Sequence, residues 1–271
     1  MAYPLPEFKK TKKYLLCVDS DGCAMDTMNI KHIKCFGPKF VKIFNITKNA
    51  QSVLDRWNEI NLYQITRGIN RFKGLSQILC ELYPNNAEYA VFKAWTDSAK
   101  ELSEAAVKKK IEEGGGNVFK KALLWSQTTN VAIKSLPDIE KKAFDGVYEA
   151  LKEAGKTFDV AIVSSANFAA VVEEWTRCGL LELTDCVTTQ KDGSKAYCIA
   201  ELIKKGYDPA NVVMVGDAEG DLKAADENGV SFYPILVNHE AESWQKICKV
   251  LDGFTKGQEI DFKEEFRKNF R

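Results

Sequence analysis

The sequence has no excess of charge of either sign. Lys and Arg together number 38 among the 271 residues, and Asp and Glu together also number 38. A chain without a basic surplus has no overall attraction for nucleic acid or for an anionic membrane surface. We therefore expect neither as a partner, so any recognition of phosphate must come from a local set of residues.

Long apolar runs and metal-binding patterns of cysteine are also missing. No stretch is long enough to span a bilayer, and the apolar run after the N-terminal basic residues is too short for a signal peptide. The eight cysteines include no Cys-x-x-Cys pair, and His32 and His239 are too isolated to suggest a metal site or a catalytic triad. These absences favour a soluble protein of the reducing cytoplasm.

The middle of the chain carries patterns that are typical of helices. Loop and helix are predicted over 28–44, and helical spacing of apolar residues begins at Lys48. One long helix is predicted from Ala87 to Glu113, ending at the glycines 114–116, and further helices over 118–133 and 137–153. The glycine run lacks the Lys-Ser/Thr of a P-loop, so it indicates a helix end rather than a phosphate site.

Strands and helices alternate in the second half of the chain. Apolar runs that begin at Phe158, Cys186, Asn211 and Ser231 predict strands, each separated from the next by a helical pattern. This alternation is typical of a parallel sheet with helices on both faces, and the early strand that begins at Tyr14 is expected to join it. We therefore predict an α/β core domain of residues 1–27 and 156–271, with an all-helical domain of 28–155 inserted.

Two aspartates follow the first predicted strand. Asp19 and Asp21 are one residue apart, so on an extended chain their side chains project to the same side. Two adjacent carboxylates repel each other unless a cation or a shared proton lies between them. Magnesium prefers oxygen ligands and suits such a pair.

Two other predicted strands also end in polar side chains. Ser164 and Ser165 follow the strand that begins at Phe158, and Asp217, Glu219 and Asp221 follow the strand that begins at Asn211. Ligands of open α/β sheets bind beyond the carboxyl ends of the strands, where such loops converge. We therefore expect these side chains and the aspartate pair to form one site.

Taken together, these segments resemble a known family. The segments DSDGCAMD, VSSAN and GDAEGD, with Lys195 between the last two and a helical insertion after the first, resemble the four motifs of the haloacid dehalogenase (HAD) superfamily with a C1-type cap. The resemblance covers residues 14–26 and about 156–237 and implies a Rossmann-like core with a cap domain. The chain is most similar to the phosphoglycolate phosphatase and β-phosphoglucomutase branch.

The resemblance implies a role for four side chains in catalysis. Asp19 corresponds to the nucleophile that forms an aspartyl-phosphate, and Asp21 to the general acid and base. Ser164 corresponds to a donor for the phosphoryl oxygens, with Ser165 as the alternative in register, and Lys195 to the neighbouring cation, with Lys191 as its rival. Dehalogenases lack the second carboxylate, so its presence favours phosphate-ester chemistry.

The resemblance also implies a magnesium site. Asp19, the main-chain carbonyl of Asp21, Asp217 and Asp221 correspond to the residues that hold the ion. Asp217 is the preferred candidate for direct contact, and two alternatives for Asp221 are contact through a water molecule and orientation of Lys195. Glu219 ranks below Asp221 because it departs from the spacing Gly-Asp-x-x-x-Asp. The expected activity is magnesium-dependent hydrolysis of a small phosphorylated metabolite, by a monomer or a homodimer. Two departures from the usual pattern are Cys23-Ala24 after the first motif and the absence of Lys-Pro after the third strand.

Substrate choice is expected to come from the cap together with residues that follow the second motif. Arg67 and Arg71 stand four residues apart and suit a carboxylate or a second phosphate, although the same pair also fits a solvated basic helix face. Ser165 and Asn167 complete the predicted substrate-binding set. Two alternatives to a phosphatase stay open, namely a phosphosugar mutase and a non-catalytic binding module on the same fold.

Overall fold

The computed structural model describes residues 2–270 and divides into two compact units. The sheet unit comprises the residues up to Met28 together with those from Asp138 onward, and the helical unit comprises Asn29–Pro137. The sequence pattern predicts an insertion that ends at residue 155. The contacts instead put residues 138–155 in the sheet unit, so the helical unit is shorter than the predicted insertion.

The sheet unit contains one six-stranded parallel sheet and a separate antiparallel pair of short strands. The strands are β1 (Tyr3–Pro4), β2 (Tyr14–Val18), β3 (Met25–Asp26), β4 (Lys142–Ala143), β5 (Phe158–Val163), β6 (Cys186–Thr188), β7 (Val212–Gly216) and β8 (Ser231–Pro234). The order in the sheet is β1-β6-β5-β2-β7-β8, and every neighbouring pair is parallel. Strand β2 therefore lies inside the sheet, between β5 and β7, and β3 pairs with β4.

Helices connect the strands and build the second unit. They are α1 (Met28–Lys31), α2 (Gly37–Ile43), α3 (Ala50–Asn58), α4 (Arg71–Leu82), α5 (Ala87–Ser98), α6 (Glu104–Glu112), α7 (Asn117–Lys134), α8 (Val147–Ala154), α9 (Phe168–Arg177), α10 (Lys195–Ile203), α11 (Glu219–Asn228), α12 (Glu240–Thr255) and α13 (Lys263–Asn269). Two π-helical turns, His32–Phe36 and Glu59–Tyr63, extend α1 and α3.

The central strands are apolar except for Asp159 in β5, because both faces of the sheet are covered. Leu16 and Val18 of β2 lie in one core cluster, whereas Leu15 and Cys17 lie in another, as the two-residue repeat of a strand requires. Buried residues of α8, α9 and α12 belong to the first cluster, and those of α10, α11 and α13 belong to the second. The prediction of an α/β fold with a parallel sheet and helices on both faces is confirmed.

The helical unit has its own aromatic core. Trp57, Trp125, Phe40, Phe72 and Phe92 are all within 1% of complete burial and pack in one cluster. Each aromatic side chain buries a large area, so this cluster gives the unit a core that is independent of the sheet.

Two helices differ from their predicted extents. The single helix expected from Ala87 to Glu113 is two helices, because Ala99 is extended and the Ser103 side chain begins α6 by accepting a hydrogen bond from the Ala106 amide at 3.2 Å. The helix expected over 137–153 is a 3-10 turn, then β4, and then α8.

The edge strand β1 was not predicted. It is only two residues long and pairs with β6, so it carries no alternation that a sequence pattern could reveal. Within residues 2–270, no helix is both long enough and apolar enough to cross a membrane.

Candidate active site

The aspartate pair lies at the carboxyl end of β2. The Asp19 amide donates to the Val215 carbonyl at 3.0 Å, which continues the pairing of β2 with β7 by one residue. Gly22 then adopts φ of 85°, a conformation that glycine allows, and the chain turns back so that the Gly22 amide donates to Met25. The Asp19 side chain is almost completely buried.

Lys195 at the start of α10 lies between two of the carboxylates. Its Nζ is 2.7 Å from Asp19 Oδ1 and 2.6 Å from Asp221 Oδ1. The rival candidate, Lys191, is exposed and places its Nζ 3.6 Å from the centre of the Phe168 ring. Of the two lysines, Lys195 is therefore the one beside the aspartates.

Three buried aspartates come together around this lysine. One carboxylate oxygen each from Asp19, Asp217 and Asp221 lies within 4.8 Å of the others. Asp217 directly follows β7, and Asp221 lies in the first turn of α11, where its Oδ2 accepts from the Ala218 amide at 3.1 Å. Within the described chain, the rival Glu219 is not part of this group.

Gly216 makes the close approach of Asp221 possible. A Cβ on Gly216 would lie 2.3 Å from Cγ of Asp221, which is far inside van der Waals contact. Glycine is therefore required where the strand meets the helix that carries the third aspartate.

Burial governs the protonation of the site. The pKa of Asp19 is raised to about 6, chiefly by burial and in addition by the neighbouring Asp221, although Lys195 lowers it. The pKa of Asp221 is also raised, chiefly by burial. Burial lowers the pKa of Lys195, but the carboxylates of Asp19 and Asp221 outweigh it, so the pKa is raised and the ammonium stays charged.

The donor set fits a hard divalent cation. Three buried carboxylates lie together and one ammonium group contacts two of them, which leaves an excess of negative charge that a cation would offset. All three donors are oxygens, which magnesium prefers, whereas zinc sites are usually built with cysteine or histidine. Asp19, Asp217 and Asp221 are therefore the residues that could hold such an ion.

Asp21 is placed differently from the other three aspartates. Its carboxylate Oδ1 accepts a hydrogen bond from Thr27 Oγ at 2.5 Å, and its side chain is not in the carboxylate group around Lys195. The predicted contact of Asp21 with magnesium through its main-chain carbonyl stays a prediction. Thr27 is completely buried, so its hydroxyl fixes the direction of the Asp21 carboxylate.

The serines after β5 differ in burial. Ser164 is 4% exposed; its amide donates to the Thr188 carbonyl at 3.1 Å and its Oγ accepts from the Ala166 amide at 3.1 Å. Ser165 is exposed, and the Asn167 side chain begins α9 by accepting from the Ala169 amide at 3.0 Å. The substrate-binding role of Ser165 and Asn167 stays a prediction.

The two candidate arginines make contacts inside the helical unit. Arg71 Nη1 donates to Ser126 Oγ at 3.0 Å and to Asn130 Oδ1 at 2.7 Å. Arg67 is 2% exposed, and its Nη1 donates to the Leu62 carbonyl in a π-helical turn at 2.9 Å. These contacts stabilise the unit itself, and a role in substrate binding stays a prediction.

Three side chains that the sequence does not predict as site residues contact the segment that carries Asp19 and Asp21. Thr27 bonds Asp21, Trp175 Nε1 donates to Ser20 Oγ, and Trp244 Nε1 donates to the Cys23 carbonyl. In the sequence, each tryptophan occupies an ordinary apolar position of an amphipathic helix. No pattern of spacing could therefore have assigned these contacts.

Comparison with known proteins gives a family-level match. A family model described as haloacid dehalogenase-like hydrolase matches residues 96–235, just over half of the chain, and this range includes Ser164, Lys195 and Asp217. No curated protein matches the sequence.

Solved structures match the fold at low sequence identity. A haloacid dehalogenase-like family hydrolase from Streptococcus pneumoniae is 14% identical with a TM-score of 0.55, covering 89% of this chain and 98% of that chain. A predicted phosphoglycolate phosphatase from Haemophilus somnus is 15% identical with a TM-score of 0.51, covering 89% and 98%. A protein from Bacillus subtilis assigned to the HAD hydrolases, with magnesium bound, is 12% identical with a TM-score of 0.50, covering 82% and 86%.

Proposed function

Because this chain belongs to the haloacid dehalogenase-like hydrolase family, we propose that it is a magnesium-dependent phosphatase acting on a small-molecule phosphate monoester. The observation that carries the proposal is the position of the Lys195 ammonium between the carboxylates of Asp19 and Asp221, at the carboxyl ends of parallel strands. The name of one structural neighbour, a predicted phosphoglycolate phosphatase, supports the same class of substrate.

Asp19 is the proposed nucleophile. Its carboxylate attacks phosphorus, the alcohol leaves, and an aspartyl-phosphate forms that water then hydrolyses. Lys195 Nζ, 2.7 Å away, orients this carboxylate and supplies positive charge beside the phosphoryl oxygens. The ion pair also favours the ionised form of Asp19, which is the form that can attack.

Asp21 is the proposed general acid and base. It gives a proton to the leaving alcohol and afterwards accepts one from the attacking water, so a single carboxyl group serves both half-reactions. The hydrogen bond from Thr27 fixes the rotamer of this carboxyl group. A fixed rotamer matters because proton transfer requires the two heavy atoms to be within hydrogen-bond reach.

Magnesium is the proposed cofactor, and Asp19, Asp217 and Asp221 are the residues that would hold it. When bound, the ion would neutralise charge on the phosphoryl group during transfer. Ser164, which is buried at the end of β5, is the proposed hydroxyl donor to the same oxygens. A phosphoryl group with three charged oxygens needs such fixed donors and cations.

The test is release of inorganic phosphate from a panel of phosphorylated metabolites, with magnesium or with a chelator. We expect magnesium-dependent release by the wild type, and a loss of at least about 1,000-fold in both Asp19→Asn and Asp21→Asn because each removes a reacting group. Glu219→Gln is the matched control, since this nearby acid lies outside the carboxylate group, and it should keep activity within about twofold.

Two results would contradict the proposal. The first is release that survives Asp19→Asn, because the reaction would then not use this carboxylate. The second is the absence of release from every ester in a folded wild type that binds magnesium, which would favour the binding-module alternative.

A further inference from the structure

Two buried tryptophans donate hydrogen bonds to the turn that follows β2, which comprises residues 19–25. Trp175 of α9 is completely buried, and its Nε1 lies 2.8 Å from Oγ of Ser20. Trp244 of α12 is 1% exposed, and its Nε1 lies 2.9 Å from the carbonyl oxygen of Cys23. The two helices therefore reach the turn with one indole N–H each.

The turn is short and closed by its own backbone. The Ser20 carbonyl accepts from the amides of Cys23 at 3.3 Å and of Met25 at 2.8 Å, and the Gly22 amide donates to the Met25 carbonyl at 2.8 Å. The Cys23 thiol is 3.5 Å from the Val215 carbonyl on β7. These bonds tie positions 20 to 25 to one another, so the turn moves as a unit and its orientation depends on what holds it from outside.

The two indoles bind on either side of Asp21. Ser20 comes directly before it and Cys23 follows two residues after it, so a hydrogen bond is made at each end of the segment that carries this carboxylate. Ser20 is completely buried and sits between Asp19 and Asp21 in the chain. Fixing its hydroxyl therefore restrains the peptide groups that position both aspartates.

We propose that Trp175 and Trp244 are positioning residues that hold the turn of residues 19–25 in the geometry required for phosphoryl transfer. This inference rests on the proposed function. It also gives the helix α12, which follows the last strand of the sheet, a direct part in the site, because that helix supplies one of the two indoles.

The helix turn that carries Trp244 is itself hydrogen-bonded to residues of β8 and the segment after it. The carbonyl of Ser243 accepts from the Tyr233 hydroxyl at 2.7 Å, and Oγ of Ser243 accepts from the Leu236 amide at 3.1 Å. Tyr233 lies on β8, so the first turn of α12 is fixed to an edge strand of the parallel sheet. A helix anchored in this way can hold the indole, and through it the turn, at a constant position.

The chemistry explains why such restraint matters. A misplacement of about 1 Å in a reacting group can lower a rate by about 100-fold, even when the cause is distant from the reaction. Substrate binding depends chiefly on the phosphate donors and the cation, and of the three carboxylates proposed to hold the cation only Asp19 lies in the turn. Loss of either indole N–H is therefore expected to lower kcat and to leave KM nearly unchanged.

The first experiment compares Trp175→Phe and Trp244→Phe with Trp125→Phe by steady-state kinetics and thermal melting. Each variant at Trp175 or Trp244 should lower kcat by about 10- to 100-fold, with KM changed by less than about threefold. Trp125→Phe is the matched control, because it removes a buried indole hydrogen bond to the Phe36 main-chain carbonyl in the helical unit and makes no bond to the turn, and its kcat should stay within about twofold. Equal loss of kcat in all three variants would overturn the proposal.

A double-mutant cycle separates the hydrogen bond from the loss of indole volume. Ser20→Ala removes only the acceptor, so if the bond positions the aspartates, Ser20→Ala and Trp175→Phe should lower kcat by similar factors. The double variant should then be no worse than either single variant within about threefold. Multiplicative losses would mean that the two side chains act separately, which contradicts the proposal.

Hydrogen exchange of the backbone amides tests whether the indoles hold the turn, and it requires no enzymatic activity. In the wild type the amides of Gly22, Cys23 and Met25 should be protected, and in both Trp175→Phe and Trp244→Phe they should exchange at least about tenfold faster while the amides of β2 do not change. If the wild type hydrolyses no ester, the proposed function fails, and this exchange result still decides whether the indoles hold the turn. Unchanged exchange at these amides would overturn the inference even in an active enzyme.

Discussion

At the scale of single residues, the site depends on one ammonium group between two buried carboxylates. Lys195→Met removes that charge and leaves Asp19 and Asp221 to repel each other. We expect kcat to fall by about 100- to 1,000-fold, as when a single preorganised charge partner is removed from an active site. The measurement is phosphate release under saturating substrate.

Lys191→Met is the control for this change. Lys191 is exposed over the Phe168 ring, so its replacement should leave kcat within about twofold. The same pair of variants decides between the two lysines that the sequence left open. A larger loss in Lys191→Met than in Lys195→Met would contradict the account.

Another buried carboxylate, that of Asp159 on β5, stabilises the fold outside the group of Asp19, Asp217 and Asp221. It accepts from the Thr11 amide at 2.9 Å, the Lys12 amide at 2.9 Å and the Tyr207 hydroxyl, and its side chain is completely buried. Burial raises its pKa, but the hydrogen bonds from Thr11, Tyr207 and Lys12 outweigh burial, so the pKa lies below its usual value. The carboxylate therefore fixes the N-terminal segment against the sheet in its ionised form.

Asp159→Asn should lower the free energy of unfolding by about 1–3 kcal/mol at neutral pH. A carboxylate with a lowered folded pKa contributes stability that is complete above its unfolded pKa, about 3.9, and is lost as pH falls through the folded pKa. The difference in the free energy of unfolding between the wild type and the variant should therefore become smaller below about pH 4. Urea unfolding at neutral and acid pH measures this difference.

Asp185→Asn is the control for Asp159→Asn, because it replaces another carboxylate that is partly exposed. The Asp185 side chain is 38% exposed and accepts from the Val160 amide at 2.8 Å, so its replacement should cost less stability than that of Asp159. If the difference in the free energy of unfolding between the wild type and Asp159→Asn became larger on acidification, the direction of the Asp159 pKa shift would be wrong.

Residues of the site differed in how well the sequence could predict them. Asp19 and Asp21 could be predicted because they follow an apolar strand and are one residue apart. Lys195 could be predicted because it begins a helix that lies between two strands in the sequence. The contacts of Trp175 and Trp244 could not be predicted, because each joins residues more than 150 positions apart in the sequence. Such pairs are set by how helices pack, which periodicity does not encode.

At the scale of elements, the junction of β7 and α11 is the most restrictive part of the site. Gly216→Ala would place Cβ 2.3 Å from Cγ of Asp221 and force that side chain away from Lys195. We expect a loss of about 1–3 kcal/mol in the free energy of unfolding, as for other overpacked positions, together with a loss of activity. Chemical unfolding and phosphate release measure the two effects.

Gly220→Ala is the control within the same motif. Nothing lies within 4 Å of a Cβ at Gly220, which is in the helix α11, so alanine should be neutral or stabilising by up to about 1 kcal/mol. If Gly220→Ala lowered activity as much as Gly216→Ala, the close approach would not explain the requirement for glycine.

Long buried strands were predictable and short or interrupted elements were not. The central strands β2, β5 and β7 are apolar runs, interrupted by Asp159 in β5, and each is followed by polar residues, a pattern that few other structures produce. The predicted helix over 87–113 carries apolar residues at helical spacing on both sides of its break, so only the extended backbone at Ala99 and the cap at Ser103 reveal two helices. The strand β4 depends on pairing with β3, which no local pattern signals.

At the scale of the whole molecule, the three aspartates that fit magnesium all belong to the sheet unit. An ion that binds only the folded chain stabilises it by mass action, by about 2.7 kcal/mol at 100 times its dissociation constant. We therefore expect magnesium to raise the thermal midpoint of the wild type. Melting curves with magnesium and with a chelator check this shift.

Asp217→Asn provides the control for that shift. It removes one carboxylate from the group, so its thermal midpoint should respond much less to magnesium than that of the wild type. An equal shift in both proteins would mean that magnesium binds elsewhere on the chain.

The central claim is that Asp19 carries the phosphoryl group, and trapping that group tests it most directly. The enzyme is quenched in acid during turnover of an ester with a good leaving group and then reduced with borohydride, which converts an aspartyl-phosphate to homoserine. We predict homoserine at position 19 in the wild type, and more of it in Asp21→Asn, because a good leaving group needs little acid catalysis whereas hydrolysis still needs the base. Phosphate release with position 19 unmodified in both proteins would contradict the account.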